Sequence, residues 1–305
     1  MTADRRYWNR LGTSLAVLAL FCAPPALAQV PNAPTKAMDA QTLVRRAAAN
    51  AEAAGRDTGK LFMYRAARET NSGAAIRDMV ETKDVILART ITWNGKVPPP
   101  EERAKEDARL DLLVTSADEL RKKKAEQLAD RKRTLQLVRA LPDALRFEYD
   151  GTEMVHGREA IRLKFTPNPD FNPTSKETYG LKAAVGKLWI DKTYTQIVRM
   201  DAALTENVYI GWGILGHINK GGRLELEQSL LPGNAWRITK LNIEATGKVF
   251  FFKTIRIKQR QSGWDYRLVP NDLSIAQAVA ALKHPATAVS AQSVATPTAQ
   301  PATKR

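Results

Sequence analysis

From Leu145 to Phe165 the chain places apolar side chains on every second residue, twice in succession. Leu145, Phe147 and Tyr149 alternate with Arg146, Glu148 and Asp150; after the His156-Gly157 turn, Ile161, Leu163 and Phe165 alternate with Arg162, Lys164 and Thr166. Successive side chains of a strand point to opposite faces, so this pattern makes one face greasy and the other charged. A chain built this way must cover one face of an antiparallel sheet and wet the other. The alternation returns at Val198, Met200, Ala202 and Leu204, then at Leu224, Leu226 and Leu230, and last at Phe251, Ile255 and Ile257. With the other strand signals this predicts about nine strands at hairpin spacing. The fold class expected is α+β and mainly β: one strongly curved antiparallel sheet, open or nearly closed, its apolar face covered by helices; which of the two, an open half-barrel or a closed one, the alternation leaves undecided.

The helices are legible by their composition. Met38 to about Ala54 is alanine-rich, clusters Leu43, Val44 and Ala47, and stops at Gly55. Leu61 to Glu69 reads as a strand, and after Asn71-Ser-Gly73 a longer run leads to Trp93 and the Asn94-Gly95 turn. Beyond Pro98-Pro-Pro100, residues 101–141 contain no glycine, no proline and many good helix formers, which predicts a single long helix. Its apolar stripe through Leu113, Ala117, Leu120, Leu128, Leu135 and Val138 is interrupted by Lys124 and Arg131, so packing on one narrow side is expected. The domain is expected to span residues 29–272 and to be followed, over 273–305, by a disordered tail rich in alanine, threonine, proline and serine.

Residues 1–28 have the layout of a cleavable secretory signal: Arg5, Arg6 and Arg10, an apolar run from Leu15 to Phe21, then Ala26-Leu-Ala28 before Gln29. A periplasmic or secreted protein follows. The single cysteine, Cys22, falls inside that signal, so the mature chain offers neither a disulfide framework nor a thiolate. The formal net charge of +15 favours anionic surroundings such as lipid headgroups, envelope polymers or nucleic acid, without choosing among them.

Catalytic chemistry is sparse. The three histidines, His156, His217 and His284, are scattered, which argues against a metal site, a histidine-based triad or any bound cofactor. Glu148, Asp150 and Glu153 lie close together, but the first two share the charged face of a strand, where solvated surface is the plainer reading. The basic runs Arg121-Lys122-Lys123 with Lys124, and Arg131-Lys132-Arg133, form a candidate contact for an anionic surface. Glu119, Glu126 and Asp130 interleave with them at helical neighbour spacing, and no aromatic residue accompanies them, so no specific nucleic-acid partner is expected. Val208 to Ile218 gathers Tyr209, Ile210, Trp212, Ile214 and Leu215 among glycines, either as a lid or as the mouth of an apolar site.

The stretch GKLWIDKTYTQIVRMDAAL, Gly186 to Leu204, resembles the Gly-x-Leu-Trp-Ile-Asp hairpin of periplasmic lipoprotein-sorting proteins, LolA-like and LolB-like. That resemblance implies a half-twisted, unclosed barrel with the long helix and the N-terminal helix near its concave face, and an apolar cavity that shelters acyl chains. It further implies a role in outer membrane biogenesis with a lipid or lipidated protein as partner, and an arginine latch for which Arg199 is the local candidate. Within the motif, Trp189 and Asp191 read as packing and turn residues.

The function expected is therefore a non-enzymatic carrier whose apolar ligand lies against Ile161, Leu163, Phe165, Val198, Met200, Leu204, Trp212, Leu224 and Leu226. The competing expectation is an interaction module that binds an anionic polymer or protein through the basic helix; a hydrolase ranks last, because no nucleophile-elbow motif is present. Salt separates the first two. A carrier's affinity should follow acyl-chain length and change little with ionic strength, whereas the module's binding should weaken steeply with salt and ignore chain length.

Overall fold

The computed structural model describes residues 38–54, 59–210, 216–249 and 253–284. The signal segment, Trp212 with its neighbours, and the chain after His284 lie outside the described residues. In chain order the elements are α1 (Ala40–Ala54), β1 (Leu61–Thr70), β2 (Gly73–Glu81), β3 (Ile86–Trp93), α2 (Pro100–Thr115), α3 (Ala117–Ala144), β4 (Leu145–Val155), β5 (Arg158–Pro167), a 3-10 segment (Lys176–Ala183), β6 (Ala184–Asp191), β7 (Ile197–Leu204), β8 (Val208–Ile210), β9 (Gly216–Ile218), β10 (Arg223–Leu231), β11 (Ala235–Val249), β12 (Lys253–Val269) and α4 (Ile275–Lys283).

All twelve strands join one antiparallel sheet, ordered β3-β2-β1-β12-β11-β10-β7-β6-β5-β4, with the short β8–β9 hairpin beside the far end of β11. The sheet is open, and the fold is the α+β, mainly β architecture expected. It has more strands than the nine read from sequence: Thr82 to Val85 turns the run before Trp93 into two strands, and β8 and β9 are too short to alternate. One register row crosses most of the sheet on a single face: Arg68, Gln261, Leu241, Leu226, Met200, Leu188, Leu163 and Tyr149 are consecutive pairing partners. Opposed residues in a ladder share a face.

The edges β3 and β4 are consecutive strands of the chain, so residues 94–144 must carry it from one edge of the sheet to the other. Ten strands at about 4.8 Å span roughly 43 Å if laid flat, and a 28-residue helix runs about 42 Å. The long helix is thus the connector that the topology requires. It is not continuous from 101 to 141 as predicted: Ser116 adopts extended backbone, and its side chain accepts from the Glu119 amide at 3.3 Å, capping α3 and ending α2. A Ser-x-x-Glu signature for this break stands in the sequence.

Both helices also finish the edge of β3. The Gln127 amide pairs with Ile86 as a strand would, its Nε2 donating to the carbonyl and its Oε1 accepting from the N–H, both at 2.8 Å. Arg109 donates to the Ala88 carbonyl at 2.9 Å, and Glu106 accepts from Thr90 N–H at 3.3 Å. Four outward backbone groups of this strand are thus satisfied by side chains, which blunts a template for aggregation.

Two apolar clusters hold the helices. One packs Leu43, Val44 and Ala47 of α1 and Leu137 and Leu141 of α3 on Phe147, Leu163, Phe165, Leu188 and Ile190. The other packs Leu110 and Leu113 of α2 and Ala278, Val279 and Leu282 of α4 on Val80 and Leu87. Residues 275–283 are therefore a packed helix with a Ser274–Gln277 capping box, a correction to the expected tail from 273; the apolar side chains at Ile275, Val279 and Leu282 suffice to order it. Between the clusters, Arg237 and Glu81 form an ion pair with side chains 1% and 2% exposed, at 3.0 Å. Arg237 also donates to the Lys60 carbonyl at 2.8 Å and stacks over Phe62, while Glu81 accepts from Phe62 N–H at 3.2 Å. The pair ties β11 to β1 and β2. Glu81→Gln should lower the unfolding free energy in urea by about 3–5 kcal/mol, the cost of leaving a buried charge unanswered.

Candidate ligand site

The inward stripe of α3 is Leu120, Lys123, Gln127, Asp130, Thr134, Leu137 and Leu141, a three-four spacing that keeps one face toward the sheet. It is rotated from the stripe predicted: Leu128 is 64% exposed, and Lys124 points outward to Asp84. The helix is apolar at its two ends and polar in the middle, so its ends are dry and its centre crosses the sheet over polar company.

The register row below it changes character in the same way. At β4 to β6 the face is closed core: Leu163 and Phe165 are fully buried under α1 and α3, with Ile161 packed at the margin. At β7, β10 and β11 it stays apolar but loses its cover. Met200 and Leu204 are half-buried at the border of the core, and Leu224, Leu226 and Ile243 are half-buried beyond it, in none of the clusters that hold the helices. At β12, β1 and β2 it becomes polar and basic, through Gln259, Gln261, Arg68 and Arg77. Burial pushes the guanidinium groups of Arg68 and Arg77 and the ammonium of Lys123 below their ordinary values, and like charges on neighbouring cations add to this.

One expected member leaves the row. Alternation puts Val198 on the face of Met200, but the β6–β7 register slips between Trp189 and Ile190; Val198 is turned to the opposite face, where it packs with Trp189 and Trp236. A bulge inserts one residue and inverts the alternation before it. Trp212 lies outside the described residues. The Gly186–Leu204 hairpin is structural: a Cβ on Gly186 would stand 1.9 Å from the Asp201 carbonyl, and Asp191 accepts from Arg158 at 2.6 Å and from the amides of Thr193 and Tyr194. Arg199 does not latch a helix: it pairs with Asp201 at 2.7 Å and lies over the Trp189 ring.

The basic helix also differs from its expected surface role. Arg121, Lys122 and Arg133 are paired within α3 to Asp118, Glu119 and Asp130. Lys123 and Arg131 are half-buried, and of the six cations only Lys132 is exposed without an ion pair among the described residues. A groove of about 470 Å³ opens on the opposite face, over Ala67, Ala74 and Ile76 with Glu69 and Arg260 at its rim; Ile76 is its largest apolar side chain, too little to wrap an acyl chain.

No group of three or more histidine, cysteine or acidic side chains converges among the described residues, and no described helix is long and apolar enough to cross a membrane. The acidic trio is tied up differently. Asp150 meets Lys164, Arg162 and Lys187 at 2.9, 2.9 and 3.2 Å, and Glu153 accepts from Trp189 and Arg162, each at 3.0 Å. Both carboxyls are held low, Glu153 chiefly by Trp189 and then Arg162, which suits neither to donate a proton near neutrality.

No protein-family model matches the sequence, and no curated protein matches it. Among solved structures the chain is similar to a DUF1329 family protein from Desulfovibrio piger, at 13% identity over 80% of this chain and 100% of that one, with a TM-score of 0.29. It is similar also to a putative outer membrane lipoprotein-sorting protein domain from Vibrio parahaemolyticus, at 11% identity over 74% and 93%, TM-score 0.27. A third similarity is to MucB in complex with MucA(peri), at 11% identity over 79% and 97%, TM-score 0.22.

The Asp150 carboxyl titrates at about 2, below its ordinary 3.8, through hydrogen bonds from Lys164 first and Lys187 next. A depressed carboxylate contributes stability that is complete above about pH 4 and lost as pH falls toward 2. Asp150→Asn should lower Tm at pH 7, and the two Tm curves should draw together as pH falls toward 2 and converge only below it.

Proposed function

We propose that the chain is an exported, non-enzymatic carrier that holds the acyl chain of a lipid or lipidated protein against the apolar part of its sheet that its helices leave uncovered, in the service of envelope biogenesis. The observation that carries this reading is the row Leu241, Leu226, Met200, flanked by Leu224 and Leu204: apolar, half-buried for the most part, with Met200 and Leu204 at the border of the core and Leu224, Leu226 and Leu241 in none of the clusters that anchor the helices. Each methylene laid against such a surface gains about 0.8 kcal/mol before ordering costs are subtracted. The secretory layout of residues 1–28 supports a periplasmic or secreted location, with the mature domain beginning at Gln29.

The competing surface-binding module has lost much of its motive, since most of its cations are answered within α3 or turned inward. Purified protein titrated with dodecanoic acid and shorter homologues should bind in order of chain length. Replacing Leu226 and Met200 by glutamine together should weaken dodecanoate roughly tenfold, about 1.4 kcal/mol, while Lys132→Gln leaves it unchanged. A double variant that binds as the parent does would overturn the assignment.

A further inference from the structure

The polar end of the same row calls for its own explanation. Across β1 and β2 the register sets Arg68 opposite Ala75 and Arg77 opposite Ala66, so the two arginines are diagonal neighbours on one face; on their outer sides Arg68 is opposite Gln261 and Arg77 opposite Thr90, neither of which carries a charge. Lys123 of α3 faces them from above, close enough to feel the charges of Arg77 and Arg109. Neither Arg77 nor Lys123 has a carboxylate within ion-pair distance among the described residues. Glu106, the nearest acidic neighbour of Arg77, is engaged by Arg109 at 3.1 Å and by the Thr90 amide; Asp130 is paired with Arg133 at 2.8 Å; Glu126 is exposed. Two donors here are buried and unsatisfied, Arg77 Nε and Gln259 Nε2, the latter on a side chain whose Oε1 already accepts from Arg68 at 3.4 Å.

Buried donors are nearly always satisfied, and buried cations are paired. A cluster of cations and amide donors short of acceptors is complementary to an anion, and arginine in particular suits the planar carboxylate or the phosphate oxygens. The row then runs from this cluster through Gln261 directly to Leu241, Leu226 and Met200. Charge recognition and apolar surface are contiguous along one line, some 19 Å from Arg68 to Met200 at about 4.8 Å per strand.

We infer that Arg77 and Lys123, with Gln259, form a recognition site for the anionic head, carboxylate or phosphate, of a single-chain amphiphile whose tail lies along Leu241, Leu226 and Met200. This rests on the carrier reading for the tail but not for the head. No bond is made or broken; the head exchanges hydration for hydrogen bonds from the buried donors.

The full mature chain is titrated by calorimetry with dodecanoate, dodecyl phosphate, neutral dodecanol and inorganic phosphate, in parent, Arg77→Gln, Lys123→Met and the double variant. At equal chain length the anionic amphiphiles should bind the parent at least tenfold more tightly than dodecanol. The double variant should lose that tenfold advantage while its dodecanol affinity stays as it was. Lys123→Met should keep or raise Tm, since it removes a partly desolvated charge without an ion pair, so loss of binding is separated from loss of fold. Equal affinity of the parent for dodecanoate and dodecanol, or an advantage that survives in the double variant, overturns the head site. Should no amphiphile bind, the carrier reading fails, and phosphate alone decides: phosphate binding lost in the double variant sustains an anion site for a free ligand, and its absence in the parent removes the site altogether.

Discussion

An open sheet whose two edge strands are neighbours in sequence has to be bridged by the chain itself, and this constraint governs the rest of the molecule. β3 and β4 stand at opposite ends of a ten-strand path, and α2 with α3 is the only link between them. The bridging helix must therefore pass from one edge strand to the other. In crossing, it supplies Gln127 as a surrogate partner for the edge of β3 and Leu137 and Leu141 to the core at β4 to β7. One segment caps an edge, closes a core and roofs the span between.

What happens in the middle of that span follows from the residues the helix brings there. A helix with leucine throughout its inward stripe would seal the face dry, because burial stabilises at roughly 25 cal/mol per Å². Here the stripe is apolar only at its ends; Lys123, Gln127 and Asp130 lie between, over Arg68 and Arg77. Polar groups packed this way stabilise little on their own and cost desolvation. The fixed ends and the ion pair between Arg237 and Glu81, by contrast, hold the sheet's geometry through contacts far apart in sequence. The molecule thus combines a firm frame with a centre that is not optimised for its own packing.

The strongly basic composition takes on a different meaning in this frame. Much of it is answered locally, as at Asp150 with its three cations and along the outer face of α3. The cations that are least answered, Arg77 and Lys123, are not on the surface where a charge count would place them but beneath the helix. Net charge is an additive property of the chain; where charge is uncompensated is a property of how elements meet.

Alternation alone specified the antiparallel sheet, its wet and dry faces, and most hairpins, because the strand period of two is a local geometric fact that each segment carries by itself. Capping signatures at Ser116 and Ser274 were equally local and readable, though easily passed over inside long helix-forming or alanine-rich runs. Tertiary structure decided what depends on meeting partners: the bulge that turns Val198 to the other face, the rotation of α3 that puts Lys123 and Asp130 inward and Leu128 outward, and the closure of Leu163 and Phe165 under α1. These follow from register and from which helix covers which strand, and no single segment encodes either. The sequence determined that one face would be greasy; only the fold determined which part of that face its own helices left uncovered.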